Sequence, residues 1–569
     1  MNVILGLYGA IGWNVKDAWL HGSGASLWID GTHIASISEE RLSRVKYDGN
    51  YPKNSIDYVL NVAGICHSDV TVIVFAEHVH ERKFKDSKEL LKKNFPNATI
   101  KSINHHFAHA AASYYTSGFD AANILSFDGS GNSYAGDSYE TGFFGIAKGE
   151  KRIVRLRHFI NSAEHRSRIE FNLGQTYNNF SRYCYQREFP KKREGNPYLS
   201  METAPGKIMG LAGYGNPTKV IKLMDSLPIF DLVVDESNFP RVFDKNTKID
   251  ETLFNSYSPA DIALYIQFNF EIALLQYLDK MLYKEENLCI GGGCGLNVLA
   301  NRLLLSNGIF KNVYVFPATN DFGLCYGAAI NEVVKTPGLI NIKSIDNVAY
   351  LGKEYNNEEI DKVIENFEFN CDVEIAEVKD ENFKSLCNLV AKDIKKGKVV
   401  GWFQGKSEFG PRALGNRSIL ANPMLGGMKD HLNENVKHRE YWRPYAPVIL
   451  QEECNKYFDF SKDQESPHMM FSAKVLVENL PAITHVDGTA RVQTVKANEN
   501  CRLTTLIESF QQLTTVPVLL NTSFNGGGEP IVETPLDALK SFNKMNIDVL
   551  VIGNHYVKKQ NNKESVLWQ

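Results

Sequence analysis

No C-x-x-C pair occurs among the nine cysteines, which are scattered from Cys66 to Cys501. A zinc ribbon and a secreted disulfide framework are therefore not expected, and an odd, unpatterned count suits a reducing cytosol. Neither charge is in excess: Lys plus Arg is 62, Asp plus Glu is 66, and the net charge is -4. That balance excludes a basic nucleic-acid coat. With 43% apolar and 22% charged residues, the chain also lacks the composition of a disordered protein. No apolar run reaches the ~18 residues that span a bilayer. The start, MNVILGLYG, has no basic n-region and is broken by glycine, so a signal peptide is not expected. No solenoid-type repeat of roughly 20–50 residues is visible.

What is present is a long chain with strands and helices in alternation. Its 569 residues are enough for roughly four compact units at ~150 residues each. Val3–Leu7 reads as a buried strand entering a glycine-rich turn, and Ala25–Ile29 with His33–Ser38 as a hairpin about Asp30-Gly31. Phe107–Tyr115 reads as a helix, Ala122–Asp128 as a strand and residues 139–147 as a further hairpin. Residues 160–200 read as polar and irregular; within them Gln186–Glu194, with four Lys/Arg in nine residues, reads as a solvated loop. Residues 258–283 read as one long helix, and Leu288–Ile290 as a strand feeding Gly291–Gly295. The pattern pauses at Thr336-Pro337-Gly338 and then resumes with Phe383–Lys396 as a helix and Val399–Phe403 and Pro517–Leu520 as strands. This gives an α/β fold of two parts, 1–345 and 346–569.

Three groups of residues carry chemistry. His105 and His109 are four apart, so on a helix they share a face and can grip one metal, while His106 points elsewhere. Asp128, at the end of the next apolar strand, and Asp321, in Thr319–Gly323, are the candidate carboxylates. Two imidazoles with one or two carboxylates suit iron, manganese or zinc. The turns Asp128–Gly131 and Gly291–Gly295 follow strands and can expose backbone N–H groups to phosphate. Neither is a Rossmann fingerprint, and Gly405-Lys406-Ser407 fails as a P-loop because position 400 is Val. The second half gathers Arg412, Lys437, Arg439, Arg443 and Arg491 among Gly, Pro and aromatic residues, a setting for a small anionic ligand rather than for surface ion pairs.

Taken together, His105–His109, Asp128–Gly131, Gly206–Ala212, Gly291–Asn297, Gly410–Ser418, Arg443–Pro447 and Asn521–Ile531 resemble, in order and over residues 3–550, the O-carbamoyltransferases of antibiotic and nodulation-factor biosynthesis. The resemblance implies an N-terminal domain with the duplicated actin/hexokinase-like (ASKHA) fold and a YrdC-like α/β C-terminal domain. It implies that carbamoyl phosphate and ATP, with Mg2+, give carbamoyladenylate in the C-terminal domain, and that the N-terminal domain moves the carbamoyl group to an acceptor hydroxyl. By motif position, His105, His109, Asp128 and Asp321 would hold Fe2+, with Mn2+ or Zn2+ as the other candidates. Gly129, Ser130, Lys207, Gly292, Gly293 and Asn297, with Asp321, would meet the adenylate. Arg412, Lys437, Arg443, Arg491, Asn521 and Ser523 would bind carbamoyl phosphate and ATP. His21 would be the base for the acceptor hydroxyl, although the family's following acid is Gly22 here, and Asp17 is the other carboxylate nearby. The family's Lys-His is likewise Lys46-Tyr47.

The expected acceptor is a small natural-product or sugar-like alcohol, in the cytoplasm, with no membrane partner and with room for a homodimer. Three other readings are a hydroxylated nucleic-acid base or nucleotide as acceptor, a sugar-kinase-like phosphotransferase, and a non-catalytic nucleotide or RNA sensor.

Overall fold

In the computed structural model the described residues are all except 13–19, 78–80, 135–137, 149–152, 162–168, 189–203, 235–239, 245–253, 282–284, 337, 339–346, 461–463 and 561–569. Asp17 and most of the basic run after Gln186 lie outside them. The chain divides into two compact units: Met1–Ser43 with Tyr47–Val348, and Arg44–Lys46 with Ala349–Gln569. Among the described residues no helix is long and apolar enough to cross a membrane.

The N-terminal unit holds two larger sheets built to one plan and a three-stranded sheet of Ile169–Glu170, Pro240–Asp244 and Phe230–Val234. The first comprises β1 (Val3–Tyr8), β2 (Gly24–Ile29), β3 (Thr32–Ser38), β4 (Val72–Ala76) and β5 (Thr99–Ile103), in the order β3-β2-β1-β4-β5. The Asp30-Gly31 turn closes the β2–β3 hairpin, β2 runs antiparallel to β1, and β1, β4 and β5 are parallel. The second contains β6 (Ala121–Phe127), β7 (Ser138–Lys148), β8 (Ile153–Asn161), β9 (Asn287–Gly291) and β10 (Asn312–Val315). It reads β8-β7-β6-β9-β10, with β6–β7 and β7–β8 antiparallel and β6, β9 and β10 parallel. Strand order and direction therefore match one for one; the short strand Ser133–Tyr134 is an addition on β7. The inner parallel strands β1, β4 and β6 are nearly continuous buried runs because both faces are covered, while the edge strand β5 is polar and half exposed.

Two helices fill equivalent places in the two halves. Helix α1 (His105–Thr116) follows β5, and a second helix, Leu324–Lys335, follows β10. They pack against each other closely enough that a Cβ on Gly327 would lie 2.0 Å from the Ala108 carbonyl.

Two sequence expectations are corrected. Residues 138–148 form one strand rather than a hairpin. Glycines at 142 and 145 mimic turns, but each marks a register shift against β8, the signature of a bulge. Residues 160–200 include a sixteen-residue helix, Leu173–Glu188. Its buried face mixes Leu173, Tyr177, Phe180 and Cys184 with Thr176 and Ser181, which blurs the apolar period.

The C-terminal unit is built on a mixed eight-stranded sheet, with a two-stranded antiparallel sheet of Ser472–Lys474 and Thr489–Arg491 besides. Its strands are β11 (Val373–Glu377), β12 (Val400–Phe403), β13 (Arg417–Ala421), β14 (Ala446–Leu450), β15 (Gln493–Val495), β16 (Val518–Ser523), β17 (Val549–Ile552) and β18 (His555–Lys559). The order is β11-β18-β17-β12-β13-β16-β14-β15. Alternate residues feed two cores: Val400, Trp402, Val549 and Val551 enter one, and Phe403, Leu550 and Ile552 the other.

Candidate functional site

Asn104 starts α1: its side chain accepts the Phe107 N–H at 3.0 Å, so the helix begins at His105. Asn132 Oδ1 accepts the His105 N–H at 2.9 Å and fixes the first turn from outside. One helical turn then brings His105 and His109 to the same side, 4.8 Å apart between ring centres. Asp128 follows β6 and Asp321 follows β10, so the second sheet contributes both carboxylates, while α1, which follows β5 of the first sheet, contributes the imidazoles.

The four side chains form one pocket: each offers a ligand atom, and these atoms all lie within 4.8 Å of one another. His109 Nε2 is 3.6 Å from Asp128 Oδ2 and 3.5 Å from Asp321 Oδ1, and His105 Nε2 is 3.7 Å from Asp321 Oδ1. These gaps are too long for hydrogen bonds. They suit ligands of one ion, since metal–ligand bonds of about 2.0–2.2 Å put neighbouring donors roughly 3–3.6 Å apart. His109 Nε2 is buried and accepts or donates no hydrogen bond. Burial, followed by the Asp321 charge, pushes the Asp128 carboxyl up to about 6. A cation would relieve both the orphaned imidazole and the crowded carboxylates, so the donor set fits a divalent metal. His106 turns away, with Nδ1 3.2 Å from Ser126 Oγ, and burial lowers its pKa to about 4, keeping it neutral.

A second His/carboxylate group, Asp361, Glu377 and His555, lies in the C-terminal unit. There His555 Nε2 sits 2.9 Å from Asp361 Oδ1.

The glycine turns flank the metal pocket. Gly292 has φ +91°, and a Cβ on it would lie 2.1 Å from the Phe127 carbonyl, so only glycine fits. The Gly129 N–H donates to Asp128 Oδ1 at 2.7 Å and the Gly293 N–H to Asp128 Oδ2 at 2.6 Å. Two N–H groups expected to face an adenylate thus hold a metal-pocket carboxylate instead. Ser130 lies in the same turn. Asn297 is committed to structure: it caps the helix Val298–Ser306 through Ala300 N and exchanges two hydrogen bonds with Gln267. Lys207, on the helix Ala204–Ala212, donates to the Tyr185 hydroxyl at 3.1 Å and lies 4.4 Å above that ring.

Tyr8, which the sequence reading missed, donates its hydroxyl to Asp321 Oδ2 at 2.8 Å. Burial, then Asp321, holds this phenol well above its usual pKa, so it stays a donor. His21 precedes β2 and is half-buried. Its neighbour Gly22, at φ +146°, explains the missing acid: a Cβ there would lie 2.6 Å from the ring of Phe322, the residue after Asp321. Phe322 is 1% exposed and stacks with Tyr47 at 6.1 Å, so the ring has nowhere to go. Gly22→Ala is therefore expected to cost about 1–3 kcal/mol by overpacking, with backbone strain added. Urea unfolding of the purified variant checks this, and wild-type stability would refute the packing account.

In the C-terminal unit, Arg412 sits in the loop between β12 and β13. Glu408, 3% exposed, shapes that loop: its Oε1 accepts the N–H groups of Leu414, Asn416 and Arg417 at 2.7, 2.8 and 3.1 Å. Asn521 Nδ2 donates to Gln493 Oε1 and the Ala413 carbonyl, while its buried Oδ1 has no hydrogen-bond partner. Lys437, 4% exposed, donates Nζ to the Asn525 carbonyl at 2.8 Å and Oδ1 at 2.9 Å, and also bonds Ser523. Arg439 lies 4.2 Å above the Tyr445 ring, and Arg443 is 3.6 Å from Glu440.

These cations feel one another. Burial, then Arg439, Arg443 and Lys46, holds Lys437 well below the usual lysine range. Burial, then Arg412, Arg439 and Arg443, does the same to Arg491, whose Nε is buried without a hydrogen-bond partner. Like charges gathered at such a cost make this cluster the candidate anion site. Glu408 and Gln493 were not assigned roles from sequence; of the two, the Glu408 position, just ahead of the glycine-rich loop, offered a signal.

Comparison with known proteins places this geometry. The sequence model described as "Carbamoyltransferase N-terminus" matches residues 12–94 and 78–330, and that described as "Carbamoyltransferase C-terminus" matches 391–559. Nodulation protein NolNO of Sinorhizobium fredii is 31% identical over 96% of this chain and 80% of its own length. The 3'-hydroxymethylcephem-O-carbamoyltransferase of Amycolatopsis lactamdurans is 30% identical over 74% of each. Among solved structures, full-length HypF in its phosphate- and nucleotide-bound form covers 60% of this chain and 47% of its own, at 14% identity and a TM-score of 0.33.

Proposed function

The chain belongs to the O-carbamoyltransferase family and is an enzyme of that type, and from that premise we propose that it makes carbamoyladenylate in its C-terminal unit and passes the carbamoyl group to an acceptor hydroxyl in its N-terminal unit. The repeated sheet plan supports reading the N-terminal unit as a duplicated actin/hexokinase-like domain. The cation-rich α/β unit supports a YrdC-like second domain. The observation that carries the two-step reading is the cluster of Arg412, Lys437, Arg439, Arg443 and Arg491, which burdens the C-terminal unit unless an anion arrives.

In this scheme the cationic cluster binds carbamoyl phosphate and the triphosphate of ATP, which comes with Mg2+. Water cleaves carbamoyl phosphate to carbamate and inorganic phosphate; a carbamate oxygen then attacks the α-phosphorus, and pyrophosphate leaves. Carbamate is short-lived in water, so enclosure favours the sequence of steps. In the N-terminal unit the acceptor oxygen forms a bond to the carbamoyl carbon, and the bond from that carbon to AMP breaks. His105, His109, Asp128 and Asp321 would hold Fe2+, Mn2+ or Zn2+, which supplies Lewis-acid stabilisation of the phosphate charge. Asp128 is itself held by the Gly129 and Gly293 N–H groups. The acceptor proton goes to His21; a side chain at Gly22, where the family has its acid, would meet the Phe322 ring.

The acceptor is a small natural-product or sugar-like alcohol, and nine unpaired cysteines fit a cytosolic enzyme. The decisive experiment incubates the protein with carbamoyl phosphate, ATP and a panel of alcohols. A gain of ~43 Da on one alcohol together with AMP, as acyl-type transfer through an adenylate requires, is expected. ADP formation with a phosphorylated product would establish the kinase reading instead. His21→Ala should slow transfer about 10²–10⁴-fold, the usual contribution of a positioned base, and spare adenylate formation. Equal loss of both steps would remove His21 from that role.

A further inference from the structure

We infer that Tyr8 is a positioning residue for the metal centre, holding Asp321 so that one carboxylate oxygen is reserved for the ion. The inference rests on the metal reading of the His105, His109, Asp128 and Asp321 pocket. Tyr8 is the last residue of β1 and is 1% exposed. Its hydroxyl donates to Asp321 Oδ2 at 2.8 Å. The other oxygen, Oδ1, is the one that faces both imidazoles, at 3.7 Å from His105 Nε2 and 3.5 Å from His109 Nε2. The phenol thus decides which oxygen points inward.

The same ring meets His105 edge-on, with centroids 6.0 Å apart and planes at 72°. One side chain therefore braces two members of the pocket from opposite chemical ends, the hydroxyl on the carboxylate and the ring edge on the imidazole. Asp128 is braced differently, by backbone N–H groups on both oxygens. Asp321 follows a turn and precedes a helix that begins only at Leu324, and its carboxylate accepts a side-chain hydrogen bond from Tyr8. Outer-shell donors of this kind set ligand direction and basicity. A packing role alone would be met equally by phenylalanine, since the ring, not the hydroxyl, fills the core; a buried Tyr hydroxyl needs a partner, and here the partner is a ligand.

Tyr8→Phe in the full chain tests this. Zn2+ affinity is measured by competition with a chromophoric chelator, alongside thermal unfolding of the metal-free protein. Expected is an affinity loss of about 10–100-fold, the usual effect of removing an outer-shell partner, with a small change in metal-free stability. A Zn2+ affinity equal to wild type overturns the inference. Asp321→Asn and the double variant Tyr8→Phe/Asp321→Asn complete a cycle. If Tyr8 acts through Asp321, the double variant binds as weakly as Asp321→Asn alone; fully additive losses overturn the inference. The cycle is read as affinity ratios, so it stands even if Tyr8→Phe lowers stability. Should Asp321→Asn and His109→Ala both bind Zn2+ like wild type, the metal reading itself falls; wild-type affinity in Tyr8→Phe alone sinks only the role of Tyr8.

Discussion

His109→Ala is expected to empty the N-terminal metal pocket and stop carbamoyl transfer, while adenylate synthesis in the C-terminal unit continues. His109 is the hub of the pocket: its Nε2 is the atom that faces both carboxylates, at 3.6 and 3.5 Å. It is also buried without a hydrogen bond, a state that costs free energy unless a ligand is found. Removing it leaves two buried carboxylates close together with one fewer cation-binding partner. Asp128, already pushed up to about 6, then has still more reason to take a proton, and a protonated acid is a poor ligand. Loss of an outer-shell partner costs about 10–100-fold in metal affinity, so loss of a direct ligand should exceed ~10²-fold. Metal content after gel filtration, single-turnover transfer from supplied carbamoyladenylate, and AMP release check the three parts. His106→Asn serves as the control: the next imidazole along faces Ser126, not the pocket, and its variant should keep its metal. Unchanged metal content in His109→Ala would reject the ligand set. Equal loss of synthesis and transfer would reject the division of labour between the units.

How much of this was legible in the sequence differs by kind of residue. The four-residue spacing of His105 and His109 states a shared helical face, and Asp128 stands where an apolar strand ends, so both could be read from periodicity. Asp321 was legible only as a carboxylate in a polar turn, because its approach to α1 depends on pairing of strands far apart in the chain. Tyr8 was invisible: a phenol closing the run Val-Ile-Leu-Gly-Leu looks like core, and nothing local distinguishes its hydroxyl. The duplicated plan came only with the family resemblance, since β1–β5 and β6–β10 share strand order and direction but no sequence period. Asn297 and the turn N–H groups have structural partners that spacing did not announce. Their residue types suit a nucleotide, yet the fold spends Asn297 on capping a helix and on Gln267. In the C-terminal unit the Arg and Lys positions were plain, but their mutual crowding was not, because it arises from loops returning to one end of the β12, β13 and β16 strands.

That crowding makes the second large prediction. Lys437→Met, and separately Arg412→Met, should abolish carbamoyladenylate synthesis while supplied carbamoyladenylate is still consumed. Truncating a cation that pairs with a buried anion costs about 2–5 kcal/mol, or roughly 30-fold to several thousand-fold. Lys437 carries a second signature. Its pKa lies well below the ordinary value, first through burial and then through Arg439 and Arg443. Without an anion the folded state therefore binds fewer protons than the unfolded chain in the window below the ordinary lysine value of about 10.4, so this group makes stability rise with pH there. A bound phosphate restores the charge on Lys437 and should flatten that rise. It should also raise thermal stability, by about 2.7 kcal/mol at a ligand concentration a hundred times Kd. Lys437→Met loses the ammonium that both effects depend on. Thermal unfolding of wild type and variant, with and without pyrophosphate between pH 7 and 9.5, separates the outcomes. A wild-type protein indifferent to pyrophosphate, or a Lys437→Met protein that responds like wild type, would mean that the cations serve the fold and not an anionic substrate.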